Sequence, residues 1–229
     1  MIRIISFISL IIFLSVLVIG NAFAARYGAK ICHNNGYFCY TVKKGESWKS
    51  LYPDENSRLT VMKINRTNNS LYRGMVIAIP KSFGDSFMDH APFPENGEVT
   101  GNKYIVVSLS KLAFGAYNES GQLQYWGPIS GGKGYCPDIH RGCHTPTGYF
   151  AIYSKGNSGC VSTKFPVGRG GAPMPYCMFF HGGFALHGSY DVPGYNASHG
   201  CVRMYKDDAK WLNKVFTNGS SHVSVIIKQ

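Results

Sequence analysis

The chain has 229 residues, 45% of them hydrophobic and 15% charged, with a formal net charge of +11. That length and apolar content suit one or two domains with a real core and exclude a wholly disordered chain. No block of basic residues appears, so the positive charge fits a carboxylate-rich polymer better than nucleic acid, and no nucleic-acid partner is expected.

The first element is an export signal. Residues 1–24 read "MIRIISFISLIIFLSVLVIGNAFA": one early arginine, an apolar run, then Ala22-Phe23-Ala24, the small-x-small pattern of a signal-peptidase site. An uncleaved N-terminal anchor is the other reading of the same run. Export places the seven cysteines in an oxidising compartment, where thiols pair. Neighbour pairing, Cys32–Cys39, Cys136–Cys143 and Cys160–Cys177, is the simplest arrangement, although sequence does not fix connectivity. It leaves Cys201 as the odd thiol.

Residues 25–39 form a short polar N-terminal segment. Residues 40–80 follow as a compact unit. "CYTV" and "MVIAIP" read as strands. Between them, Ser47 caps a short helix through "WKSLY". A second helical piece, "RLTVMKIN", places Leu59, Met62 and Ile64 inward and ends at "NRTNNS". The opening "YTVKKGESW", the central "INRTNN" and the closing "LYRGMVIAIP" resemble a LysM module. Trp48 stands where that family usually has Leu. The resemblance implies a βααβ unit that binds N-acetylglucosamine-containing glycans such as peptidoglycan.

Residues 81–101 lack periodicity and read as a linker whose aromatic residues can dock on a neighbour. From residue 102 to 229 the texture is β: "KYIVVSLS", "LAFGAYN", "QLQYWGPIS", "GYFAIYSK", "YCMFFHGGFALHG" and "HVSVIIKQ" are strand-like. One helix is clear. Asp207 or Asp208 caps it, and "AKWLNKVF" presents Leu212, Val215 and Phe216 at helical spacing. Residues 131–175 are rich in Gly, Pro and Cys, a long irregular stretch of the kind that serves function. The fold class expected is mainly β: a mixed sandwich or barrel-like domain with one clear helix, preceded by the small βααβ unit.

The chemistry concentrates in "FALHGSYDVPGYNASHGCVRM". His187 ends an apolar strand, and His199, Gly200 and Cys201 follow. A cysteine nucleophile needs a base and oxyanion donors. An ordinary thiol is mostly protonated near neutrality, so a nearby imidazole is the usual remedy. Two histidines are available. Gly200 lets the backbone approach a substrate, so the N–H groups of Gly200 and Cys201 are natural oxyanion donors.

This block resembles the active-site signature of the YkuD-type L,D-transpeptidases: a histidine followed by Gly or Ser, a variable spacer, then Ser/Thr-His-Gly-Cys. "HTPTGYFAIY" matches the family's Thr-Pro-x-Gly-x-Phe segment through Thr145, Pro146, Gly148 and Phe150. The resemblance spans about residues 103–228. It implies a cysteine acyltransferase in which Cys201 attacks a peptidoglycan tetrapeptide stem, releases the terminal D-Ala, and passes the acyl group to an amine. A second stem would give a 3–3 cross-link, and a lysine of a wall-anchored lipoprotein would give attachment of that protein. Water as acceptor would make the chain an L,D-carboxypeptidase. By the same resemblance His187 is the proton acceptor, oriented by the Gly188 backbone, and His199 is a second site histidine. Ser198 supports the turn and stands with Arg203 and Tyr190 as a substrate-binding candidate. Arg203 is either a stem-carboxylate partner or half of a structural ion pair. No cofactor or metal is implied, and the enzyme is expected to act as a monomer in the periplasm or cell envelope of a bacterium.

Blander readings stand beside these. His140 and His144 flank Cys143 and, with Cys136, invite a zinc site, but the spacing is not a usual zinc pattern and export favours a disulfide. His181 has no motif match and reads as structural or cleft-lining. A non-catalytic wall-binding protein would need no intact His-Gly and Ser-His-Gly-Cys blocks.

Overall fold

The computed structural model describes residues 26–164, 171–220 and 222–229. The predicted signal segment lies outside them. Among the described residues no helix is long and apolar enough to cross a membrane.

The N-terminal segment is more structured than its polarity suggests. A short helix α1 (Tyr27–Ile31) leads into the Cys32–Cys39 disulfide and strand β1 (Tyr37–Thr41). Helices α2 (Trp48–Leu51) and α3 (Glu55–Ile64) follow, then β2 (Val76–Pro80), antiparallel to β1. Both helices start on side-chain caps. Ser47 accepts the Ser50 N–H, and Asp54 accepts the Ser57 N–H at 2.7 Å, satisfying donors that a helix start leaves orphaned. Val42, Trp48, Val61, Met75 and Ile77 form the core of this unit. The expected inward set needs adjustment. Ile64 is buried, but Leu59 and Met62 are only half-buried, while Val61 and Lys63 are fully enclosed. The cause is that α3 is covered on two sides, by its own hairpin and by the larger domain that receives Lys63.

The linker, residues 81–101, lies against that domain. Its 3₁₀ turn Phe87–His90 brings the Phe87 carbonyl to the Trp126 indole N–H at 2.9 Å, and the Phe87 ring meets Tyr125 edge-on.

Strands β3 (Tyr104–Ser108), β4 (Ala113–Tyr117) and β5 (Leu123–Ser130) form a meander. A small hairpin, β6 (Tyr135–Cys136) with β7 (Arg141–Gly142), is closed by the Cys136–Cys143 disulfide. Then come β8 (Gly148–Ala151), β9 (Ser154–Lys155), β10 (Met178–His181), β11 (Phe184–Ser189), β12 (Val202–Tyr205), helix α4 (Lys206–Trp211) and β13 (Ser224–Lys228). They build one nine-stranded mixed sheet in the order β8-β13-β3-β4-β5-β12-β11-β10-β9. The domain is therefore a single curled sheet and not a two-sheet sandwich. Curling carries β8 from one edge back to β10, where Phe150 and Phe180 meet at 5.4 Å between ring centres. Ile105, Val107, Phe114, Ile129, Leu186, Met204 and Leu212 fill the interior.

Three local expectations change. "YCMFFHGGFALHG" is a hairpin and not one strand: Gly182 and Gly183 make a two-residue turn, with His181 opposite Phe184 and Gly182 at φ +51°. The α4 N-cap is Tyr205, without a side-chain cap; Asp208 sits inside the first turn, buried against Lys63. The helix then widens into a π turn, Leu212–Phe216, which buries Asn213 and leaves Val215 exposed.

Strands β11 and β12 run parallel, yet the connection between them, residues 190–201, contains no helix. Parallel neighbours are usually joined through a helix. Here the N-terminal unit satisfies the crossover's backbone instead. The Asn68 and Val192 main chains bond at 3.2 Å, Tyr27 N–H reaches the Gly194 carbonyl at 3.0 Å, and Thr67 bridges Pro193.

Candidate active site

Cys201 is the free cysteine among the described residues; the other six form Cys32–Cys39, Cys136–Cys143 and Cys160–Cys177. It lies at the end of a tight turn leading into β12. Gly200 has φ +120°, and a Cβ there would sit 2.5 Å from the Phe184 ring, so glycine is required both by conformation and by space. The turn is pinned from outside. Thr145 Oγ1 accepts the Gly132 N–H and donates to the Gly200 carbonyl, each at 2.8 Å. Thr145 thus acts on the turn that carries Cys201 from another loop.

One of the expected roles changes. The Gly200 N–H is donated to Ser198 Oγ at 3.0 Å, so it is not free to hold an oxyanion. Among the described residues the Cys201 N–H has no such internal partner, and it is the donor this turn offers. Ser198 is buried, and its hydroxyl donates in turn to the Cys201 carbonyl. It braces the turn, and it also lines the cavity that holds Cys201.

His187 lies within β11, buried at 6% exposure, directly across from Arg203 on β12. Its Nδ1 lies 2.9 Å from the Gly188 carbonyl. A carbonyl only accepts, so Nδ1 carries the proton and Nε2 is left as the lone-pair nitrogen. Gly188 therefore plays the orienting part expected of it. A Cβ there would press on Lys206 and Pro175, at 3.0 and 3.1 Å. Burial pushes the His187 imidazole down to about 4, with the Arg203 charge adding to the effect. Burial likewise pushes the Cys201 thiol up, against a partial offset from the Ala185 N–H and Arg203. At rest Cys201 is a neutral thiol, its Sγ 3.8 Å from the Gly183 carbonyl, and His187 is a neutral imidazole.

His199 does not share that environment. Its Nε2 is 2.7 Å from Asp138 Oδ2, and the contact holds the Asp138 carboxyl below the usual carboxylate range. Asp138 belongs to the loop closed by Cys136–Cys143, so the disulfide delivers it to the site. No sequence motif marks Asp138. Arg203 makes an ion pair with Asp191 at 2.7 Å. Tyr190 is exposed at the rim, its hydroxyl accepting from Lys206 at 2.9 Å. His181 stacks near Phe184 and stays outside the cleft.

Cys201, His187, His199, Arg203 and Tyr190 all line one cavity of about 700 Å³. Its walls come from the two disulfide-stapled loops: Cys143 and His144 on one side, Met174 and Pro175 on the other. Two groups of ligand-type side chains gather among the described residues, Cys32 with His33 and Cys39, and Cys136 with Asp138 and His199. In both, the cysteine sulfurs are bound in disulfides, which removes the thiolates a metal would need. The arrangement as a whole is suited to covalent acyl transfer through sulfur.

The buried imidazole gives a pH signature. Its folded value lies below the unfolded value of about 6.5, so its neutral form stabilises the fold fully above that pH. This contribution is lost as the pH falls toward 4. Urea unfolding at pH 7 and pH 4 should differ by about 3 kcal/mol from this group alone. His187→Gln should remove that part of the difference; an unchanged difference would mean that His187 is not a buried neutral imidazole.

Residues 102–227 match the family model for YkuD, the L,D-transpeptidase catalytic domain. Comparison with curated proteins gives no match. Among solved structures, the chain is similar to an L,D-transpeptidase from Xylanimonas cellulosilytica DSM 15894, with 24% identity and a TM-score of 0.54, over 75% of this chain and 79% of that one. It is also similar to an L,D-transpeptidase from Stackebrandtia nassauensis, with 22% identity and a TM-score of 0.45, over 61% of this chain and 62% of that one. The first likeness shows a shared fold.

Proposed function

Because the chain belongs to the YkuD family of L,D-transpeptidase catalytic domains, we propose that Cys201 is its nucleophile, His187 its proton acceptor and a peptidoglycan tetrapeptide stem its acyl donor. The observation that carries this reading is the His187 tautomer. Nδ1–H is committed to Gly188, so the basic Nε2 remains for the thiol that shares its cavity.

The steps follow from the geometry and the charges. The stem's third-residue carbonyl lies over Cys201. The proton leaves sulfur for His187 Nε2 as the C–S bond forms, since burial disfavours a preformed thiolate–imidazolium pair. The Cys201 N–H supports the oxyanion. The imidazolium returns its proton to the departing amine of the terminal D-Ala, and a thioester remains. An acceptor amine then gives its proton to His187 and takes the acyl group, restoring the thiol. Arg203, held at the cleft by Asp191, is placed to receive a stem carboxylate. Asp138 fixes the His199 ring as a wall of the cleft.

The N-terminal unit is read as a glycan-binding LysM-like module spanning residues 40–80, joined by residues 81–101 to the catalytic domain, residues 102–229. Its β1-α2-α3-β2 order and antiparallel strand pair support that reading. Three disulfides support an oxidising location, the periplasm or cell envelope.

Incubation of the full chain with purified tetrapeptide muropeptides, followed by mass spectrometry, tests the activity. Cross-linked dimers with loss of one terminal residue are expected. Shortened monomers alone would identify water as the acceptor and overturn transfer.

A further inference from the structure

The N-terminal unit reaches into the cleft through one side chain. Asn69 Nδ2 donates to Asp191 Oδ1 at 3.0 Å, while Asp191 Oδ2 holds Arg203 at 2.7 Å. Asn69 is itself held from behind. The Trp48 indole N–H donates to the Asn69 carbonyl at 2.8 Å, and Thr67 Oγ1 accepts the Asn69 N–H at 3.1 Å. Next to it, the Asn68 side chain accepts the Val192 N–H and donates to the Ser189 carbonyl, each at 2.9 Å, so both ends of the segment carrying Asp191 are gripped.

Two features argue that this contact serves the cleft and not merely the join. First, the side chains of Asp191 and Arg203 are 57% and 23% exposed. An exposed ion pair contributes little alone and does not fix a long side chain. A third group that immobilises the carboxylate is what turns it into a fixed anchor for the guanidinium. Second, Asn69 Oδ1 is buried and finds no hydrogen-bond partner among the described residues. That orientation costs stability locally. It is the orientation that turns the amide nitrogen toward Asp191.

We propose that Asn69, locked by Trp48, is a positioning residue for the transpeptidase cleft: it fixes Asp191 and thereby holds the Arg203 guanidinium beside Cys201 and His187, so that a unit outside the catalytic domain sets the site's recognition of a carboxylate. The proposal rests on the reading of Cys201 and Arg203 given above. It also gives Trp48 a task that the leucine usual at this position of LysM modules cannot perform, because leucine has no N–H to donate.

The test uses alkylation of Cys201 in the full chain, which needs no turnover and separates this proposal from the transferase reading. Second-order rates with iodoacetate, an anion, and iodoacetamide, its neutral counterpart, are measured by intact mass. A guanidinium at the site favours the anion. Arg203→Ala should lower the iodoacetate-to-iodoacetamide ratio. Asn69→Leu and Trp48→Phe should each lower it in the same direction, by about two- to fivefold given the short range of a screened charge. Trp48→Phe retains an aromatic ring in the module core, so a folded protein is available even if Asn69→Leu is not. In an Arg203→Ala background, Asn69→Leu should change the ratio no further, since the two act along one chain of contacts. A ratio unmoved by Asn69→Leu and Trp48→Phe, with Arg203→Ala active, overturns the proposal while leaving the nucleophile in place. A ratio unmoved even by Arg203→Ala overturns it as well, because the guanidinium then exerts no influence on the site.

Discussion

Replacing His187 by glutamine is expected to lower acylation of the enzyme by about 10²–10⁴-fold, the usual contribution of a positioned general base. Glutamine can still donate to the Gly188 carbonyl but cannot take the Cys201 proton. The rate of thioester formation with a tetrapeptide stem, followed by rapid quench and intact mass, reads this directly. Cys201→Ala should leave no thioester at all. The pH profile adds a sharper check. Burial pushes His187 down to about 4, so the acid limb of kcat/KM in the native enzyme should fall toward pH 4 and not near pH 6.5. An acid limb near 6.5 would assign the titration to a group other than His187.

The second large effect is on stability. Lys63 is fully buried, and its ammonium contacts Asp208 Oδ1 at 2.9 Å, the Trp126 carbonyl at 3.2 Å and the Tyr125 hydroxyl at 3.3 Å. The rings of Phe87 and Tyr125 close around it at 4.4 and 4.6 Å from their centres. Burial pulls the lysine down and Asp208 pulls it back up. Asp208 Oδ2 already lacks a hydrogen-bond partner among the described residues. Lys63→Ala would leave the buried carboxylate without its counter-charge, held only by the Tyr125 hydroxyl, which donates to Oδ1 at 2.6 Å. Removing one partner of a buried pair costs about 3–5 kcal/mol, and urea or thermal unfolding should show a loss of that size. The double replacement Lys63→Met with Asp208→Asn should cost less than Lys63→Ala, since no unpaired charge remains. A loss below about 1 kcal/mol for Lys63→Ala would mean that the pair is solvated and that the two units are not locked through it.

Much of the site was readable from residues. Ser-His-Gly-Cys and an upstream His-Gly carry their spacing in the sequence, and the structure brings Cys201 and His187 to one cavity. The three disulfides join sequence neighbours, so local pairing identified them. The losses came where a contact depends on a distant partner. Asp208 reads as a helix cap because its local context is a helix start; only the lysine 145 residues away shows why it is buried. Asp138 lies 61 residues from His199, and nothing in its hairpin marks it as a ligand of that ring. Gly200 looked like an oxyanion donor until Ser198, two positions earlier, proved to occupy its N–H. The Gly182-Gly183 turn is marked locally, since two glycines between apolar runs are a hairpin signal. Strand β12 escaped because four residues after a catalytic turn give too short a pattern to read, and its parallel neighbour is what defines it.

The helix-free crossover between β11 and β12 bears on how such a protein can change over generations. An ordinary binding module on a tether can be lost, duplicated or exchanged without consulting the enzyme it serves. Here the loop leading to Cys201 borrows hydrogen bonds from Tyr27, Thr67 and Asn68. A substitute module would have to arrive with those contacts already in place. Exchange of one unit alone would thus cost the crossover the few atoms that hold it in position.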